Sequence, residues 1–109
     1  MNYSVKVLPR FEKLLKRLVK KYPSLKSEYT ELVRSLRNDP EQGTAIGHNC
    51  YKIRLAIKSK GKGKSGGARI ITHIVVTSEI VYLLSIYDKS EQADITDKEL
   101  RELLRSIPK

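Results

Sequence analysis

Two apolar stripes of helical period stand side by side near the start of the chain, separated only by Pro23 and Ser24. Phe11, Leu14, Leu15, Leu18, Val19 and Tyr22 recur at i, i+3, i+4, i+7, i+8 and i+11. That spacing predicts an amphipathic helix, with Lys13, Lys16, Arg17, Lys20 and Lys21 on its outer side. Pro9 is tolerated in a first helical turn. Pro23 ends the stripe, because the residue before a proline is pushed out of helical geometry. Leu25, Tyr29, Leu32, Val33 and Leu36 repeat the pattern, with Ser24 as the expected N-cap and Asn38-Asp39-Pro40 as the stop. Helices joined by so short a link fold back as an antiparallel hairpin. Their apolar faces then need a sheet to cover.

The rest of the chain supplies one. Tyr3, Val5 and Val7 alternate with Ser4 and Lys6, which predicts a short opening strand. Tyr51, Ile53, Leu55 and Ile57 alternate with Lys52, Arg54, Ala56 and Lys58, giving a strand with one buried face and one basic face. Ser59 to Ala68 reads as a mobile glycine- and lysine-rich loop. Arg69 to Val76 is rich in β-branched residues and reads as the next strand. Thr77-Ser78-Glu79 is a turn, from which Ile80 to Asp88 pairs back. Thr96-Asp97-Lys98-Glu99 has the form of a capping box. It opens a short last helix with Leu100, Leu103, Leu104 and Ile107 as its apolar stripe. The expected class is α+β: an antiparallel sheet packed by an N-terminal helical hairpin, with a short C-terminal helix. With 109 residues and no linker or repeat, residues 1–109 form a single domain.

Charge narrows the function. The formal net charge is +10. Between Glu41 and Glu79 no acid occurs, and Lys52, Arg54, Lys58, Lys60, Lys62, Lys64 and Arg69 contribute +7 of that total. A localised basic region points to a polyanionic partner. One cysteine excludes a disulfide framework, and with only His48 and His73 a zinc site has no ligand set. The longest uncharged apolar run, Ile70 to Ser78, is too short and too polar to span a bilayer. No segment has the layout of a signal peptide. A cytoplasmic protein without membrane contact is expected.

Gly61-Lys62-Gly63-Lys64-Ser65 resembles a nucleotide-binding loop only in part. That motif needs a further glycine where Lys58 stands and a helix where the strand from Arg69 follows. Glycines that let lysines follow a polyanion backbone are the better reading. By alternation Lys52 and Arg54 share a face, and if Arg69 opens the partner strand on that face, three cations converge on an open sheet surface. Tyr87 and Lys89 alternate together at the end of the last strand. Such a cluster suits binding a phosphate and stabilising developing negative charge. Tyr87 adds a ring for stacking, or a proton if neighbouring cations lower its pKa. His48 and His73 are an alternative acid–base pair. Cys50 would be a nucleophile only beside an activating base.

Three segments carry a family resemblance: Cys50-Tyr51-Lys52-Ile53-Arg54-Leu55, Gly61-Lys62-Gly63-Lys64-Ser65-Gly66-Gly67-Ala68-Arg69-Ile70-Ile71, and Leu83-Leu84-Ser85-Ile86-Tyr87-Asp88-Lys89. With them the chain resembles the RelE/HigB toxins of bacterial type II toxin–antitoxin modules, and within them the HigB-like branch. The resemblance implies a RelE-like fold and a ribosome-dependent endoribonuclease that cuts mRNA. It implies a metal-free, cofactor-free basic active site on the sheet face. The matching positions are Lys52, Arg54, Arg69, Tyr87 and Lys89, and Lys58, Lys60, Lys62 and Lys64 correspond to RNA or ribosome contacts. The implied partners are the ribosome, mRNA and a cognate antitoxin, HigA-like with a helix-turn-helix DNA-binding part. Where many relatives place aromatic residues after the arginine, this chain has Thr72 and His73. Two other classes remain open. One is a ParE-like toxin that inhibits DNA gyrase without cleaving RNA. The other is a non-catalytic RNA-binding protein.

Overall fold

The computed structural model describes residues 2–61, 63 and 66–108. The two helical stripes become α1 (Pro9–Lys21) and α2 (Leu25–Asn38). Pro9 lies in the first turn of α1, and the Tyr22 N–H closes the helix on the Leu18 carbonyl at 2.8 Å. Ser24 departs from expectation: its side chain does not cap α2. Its hydroxyl lies 3.1 Å from Glu28 Oε1 and 2.9 Å from Ser59 Oγ, and it accepts the Ser59 N–H at 2.9 Å. Glu28 in turn accepts the Lys58 N–H at 2.8 Å. The bend of the hairpin is thus tied to a single 3₁₀ turn, Lys58–Lys60, in what reads from sequence as the end of a strand and the start of a mobile loop.

Five strands form one sheet: β1 (Ser4–Val7), β2 (Thr44–Gly47), β3 (Cys50–Leu55), β4 (Ala68–Val75) and β5 (Ile80–Asp88). Their order is β1-β5-β4-β3-β2. β3 through β5 are an antiparallel meander, as expected; β2 extends it at one edge, and β1 runs parallel to β5 at the other. A parallel pair is open to these two strands because a long stretch of chain, from Val7 to Ile80, and not a tight turn connects them. β2 is absent from the sequence reading, since only Ile46 in it is even half-buried and no alternation marks it. It arises because His48 and Asn49, with φ of 56° and 58°, make a two-residue turn that sends the chain straight back along itself.

The sheet is covered on both faces. On one face Phe11, Leu18, Leu25, Leu32 and Leu36 of the hairpin bury Ile53, Ala68, Ile70, Leu83 and Ile86, with Leu14 and Leu55 at the margin. On the other, Leu100 and Leu103 of α3 (Asp97–Arg105) pack on Cys50, Ile71, Tyr82, Leu84 and Tyr87. The Thr96–Glu99 capping box at the start of α3 is fully formed. A bulge in β5 reconciles the two faces. Ile71 pairs with Ser85 but Thr72 pairs with Leu83, so Leu84 is an extra residue. Without it Leu83 and Ile86, three apart, would point to opposite sides of the sheet. No helix among the described residues is long and apolar enough to cross a membrane.

Candidate active site

Strand register assembles the basic cluster. Arg54 pairs with Arg69, and Arg69 with Tyr87, so these three side chains form one row across β3, β4 and β5 on the face opposite the helical hairpin. Lys52 stands two residues along β3 from Arg54, in the next row with Ile71 and Ser85. Lys89 follows β5 and stays paired to the sheet, its N–H donating to the Gly67 carbonyl at 3.0 Å. The structure therefore brings Lys52, Arg54, Arg69 and Tyr87 onto one patch of sheet, with Lys89 at its margin, its ammonium donating to the Ala93 carbonyl at 3.4 Å.

The patch is not the open surface that alternation suggests. Arg69 is only 4% exposed and Tyr87 6%, while Arg54 is exposed. Arg69 and Ile71 share this face, and the apolar second residue draws α3 over half of it. Arg69 is held firmly: its Nη1 donates to the Ala68 carbonyl at 3.2 Å. The loop enters β4 through Gly67, where a Cβ would lie 2.1 Å from the Leu55 carbonyl oxygen. Only glycine lets the chain pass this close to β3 and set Arg69 beside Arg54.

The Tyr87 hydroxyl behaves opposite to one activated by cations. Burial, then the Asp94 carboxylate, push its pKa up to about 12, and Arg69 offsets only part of this. It remains a protonated donor. Asp94 itself is not among the site residues expected from the sequence. It lies in the segment between β5 and α3 and reaches back to accept from Lys52 Nζ at 3.2 Å. The Ile95 N–H, at 2.8 Å, and Lys52 hold its carboxyl below the usual carboxylate range.

The expected RNA contacts divide. Lys58 is exposed. Lys60 is not a surface cation: its side chain is 8% exposed and ion-paired with the fully buried Asp88. Its ammonium also sits 5.5 Å from the centre of the Tyr22 ring. Asp88 further accepts from Tyr22 Oη at 2.8 Å and from Ser90 N and Oγ at 2.9 and 2.8 Å. Tyr87 and Asp88 thus point to opposite faces, one toward the basic row and one toward an anchor beneath it. Lys62 and Lys64 lie outside the described residues.

The histidines and Cys50 sit apart from the row. Cys50 pairs with His73, and its Sγ is 3.5 Å from His73 Nδ1. His73 is four residues from Arg69 on β4, about 13 Å along an extended strand. Burial pushes the Cys50 thiol up to about 12, which removes it as a nucleophile. Burial likewise lowers the His73 pKa, the His48 carbonyl opposing and the His48 ring adding to the effect. His48 is exposed, 3.8 Å from Asp97 Oδ1.

The family model for the RelE toxin of the RelE/RelB toxin–antitoxin system matches residues 11–108. The chain belongs to the RelE toxin family. Solved RelE-type structures share its fold. A mutant of E. coli toxin RelE in the free state is 18% identical, with a TM-score of 0.66 over 99% of this chain and 100% of that one. The RelBE2 toxin–antitoxin complex from Mycobacterium tuberculosis is 16% identical, with a TM-score of 0.62 over 81% of this chain and 99% of the matched chain. E. coli RelE in complex with an antitoxin RelBc peptide is 20% identical, with a TM-score of 0.52 over 99% of this chain and 100% of that one. This RelE-family chain is therefore a toxin of a toxin–antitoxin module. The matches name RelE and RelBE2 toxins, and the HigB-like branch stays an expectation from the loop sequence.

Proposed function

We propose that this RelE-family toxin is a ribosome-dependent endoribonuclease that cuts mRNA by attack of a ribose 2′-hydroxyl on the adjacent phosphate. The observation that carries the reading is the row Arg54–Arg69–Tyr87 with Lys52 beside it. Two guanidiniums on paired strands can grip the scissile phosphate, and Arg69 matches it with a bidentate fork. Charge then grows on the phosphoryl oxygens as the 2′-oxygen closes on phosphorus. Arg69, set beside Arg54 by strand register, is the guanidinium that meets that charge. Lys52 and Lys89 stand on opposite sides of the row; Lys89, as the amine, takes the 2′-hydroxyl proton as that oxygen attacks, while the Lys52 ammonium faces the phosphate. Tyr87, protonated up to about 12 and with its hydroxyl buried, does not act as a base; the exposed Arg54 meets the departing 5′-oxygen, which takes its proton from solvent. Lys58, Lys62 and Lys64 supply the salt-dependent attraction to RNA backbone. A cognate antitoxin, HigA-like with a helix-turn-helix part, neutralises the toxin. Toxins of similar fold are described in complex with their antitoxins.

The test is cleavage of a defined mRNA by the purified protein, with and without programmed ribosomes. Cleavage is expected only in the programmed complex. Cutting of naked mRNA at the same rate contradicts ribosome dependence. Absence of any cutting, together with inhibition of DNA gyrase, would establish the ParE-like alternative.

A further inference from the structure

Asp94 is an acid placed inside a cluster meant for a polyanion, which on charge alone is unfavourable. Its position is nonetheless fixed from several sides. Its carboxylate accepts the Ile95 N–H at 2.8 Å, and its backbone carbonyl accepts Gln92 Nε2 at 2.9 Å. Ile95 packs into the apolar cluster under α3, and Thr96 is locked by its capping box. The carboxylate oxygen so placed accepts from Lys52 Nζ. Lys52 is 21% exposed at its side chain and Asp94 62%. An ion pair that open to solvent adds little to stability, so what the contact supplies is direction. A lysine head group on four rotatable carbons has no preferred aim of its own. Ile46, Lys52, Asp94, Thr96, Asp97 and Leu100 line a cleft where β2 and β3 meet the approach to α3.

We propose that Asp94 is a positioning residue that holds the Lys52 ammonium at the edge of the Arg54–Arg69–Tyr87 row, ready for the phosphate of the RNA. The inference rests on the cleavage reaction proposed above. Asp94 touches no reacting atom; it works through Lys52, and its carboxylate also raises the pKa of the buried Tyr87 hydroxyl. Two consequences separate it from a structural acid. Losing Asp94 lowers the rate once substrate is bound, because Lys52 is no longer aimed. It does not weaken binding, because a negative charge has left a site for a polyanion.

The experiment is single-turnover cleavage on programmed ribosomes by wild type, Asp94→Ala, Lys52→Ala and the double variant. Asp94→Ala is expected to lower the saturated rate by about tenfold, on the scale for a misplaced catalytic group. Its half-saturating concentration should be unchanged or lower. The double variant should be no slower than Lys52→Ala alone, as for two residues acting as one unit. An unchanged saturated rate in Asp94→Ala, or effects that multiply in the double variant, overturns the proposal. The contact is also read without any cleavage, from the ¹H–¹⁵N cross-peak of the Lys52 ammonium. That peak should be seen in wild type and lost in Asp94→Ala with the unfolding midpoint unchanged, and its persistence counts against the proposal. A wild type that cuts no RNA but shows this loss defeats the enzymatic reading and leaves the contact standing.

Discussion

Replacing Arg69 by alanine is expected to slow cleavage at saturation by at least about a hundredfold, the scale for losing one preorganised donor to a developing oxyanion. The expectation follows from how Arg69 is held. It is nearly buried, bonded to the Ala68 carbonyl, and flanked by Arg54 and Tyr87 at neighbouring register positions. Its side chain is ordered by the sheet before substrate arrives. Ribosome affinity should fall far less, because Lys58 and the other cations still release counterions. Arg69→Lys keeps the charge but not the fork, and should recover only part of the rate. Unfolding curves of both variants separate a lost catalytic group from a lost fold. If Arg69→Ala cuts at the wild-type rate when saturated, the centre lies elsewhere, and His73 is the next residue to replace.

The largest loss of stability is expected from Asp88→Ala. Asp88 is fully buried and receives Lys60, Tyr22 and Ser90 together. Removing it strands the Lys60 ammonium in the protein with no counter-ion and leaves the Tyr22 hydroxyl without its acceptor. Breaking one side of a buried pair costs about 3–5 kcal/mol, or a fall in Tm of roughly 12 °C or more in a domain of this size. The same site makes wild type acid-sensitive. Burial by itself would raise the Asp88 pKa, but hydrogen bonds from Lys60, Ser90 and Tyr22 reverse this and hold the carboxyl well below the usual carboxylate range. The unfolded carboxyl titrates near 3.9, as a reference value. Stabilisation by Asp88 is therefore complete above about pH 5 and is lost progressively as pH falls through 4 toward the folded value. Urea unfolding between pH 7 and 3 should show this decline in wild type and a shallower one in Asp88→Ala. Equal slopes would mean that Asp88 is not the group responsible.

Much of this molecule is written in local periodicity. The Leu18 and Leu32 stripes, the alternation from Tyr51 to Leu55 and the Thr96–Glu99 capping box each depend on residues a few positions apart, and each forms. What escapes local reading depends on distance. The parallel pairing of β1 is set by which strand its edge meets, and Leu84 breaks the parity of β5 without any glycine or proline to mark it. The site divides in the same way. The shared face of Lys52 and Arg54 follows from strand alternation, and Arg69 joins them through the register of β4 on β3. Lys60 departs from its expected surface role because Asp88, 28 residues away, claims it. A signal for that pair was present: Asp88 shares the parity of Ile86, a core position, and an acid there demands a buried cation. Asp94 carries no such signal, since its reach to Lys52 depends on the path of the segment between β5 and α3.

The ends of the RNA fragments test the proposed centre most directly. Attack by the neighbouring 2′-hydroxyl on a phosphate held by Arg69 must leave a 2′,3′-cyclic phosphate on the upstream fragment and a 5′-hydroxyl on the downstream one. Mass spectrometry of mRNA cut by the purified toxin on programmed ribosomes should find these two termini, and Arg69→Ala should yield neither at a comparable rate. A 3′-hydroxyl paired with a 5′-phosphate would mean that water, not the ribose, is the nucleophile, and that the row Arg54–Arg69–Tyr87 does not perform the chemistry assigned to it.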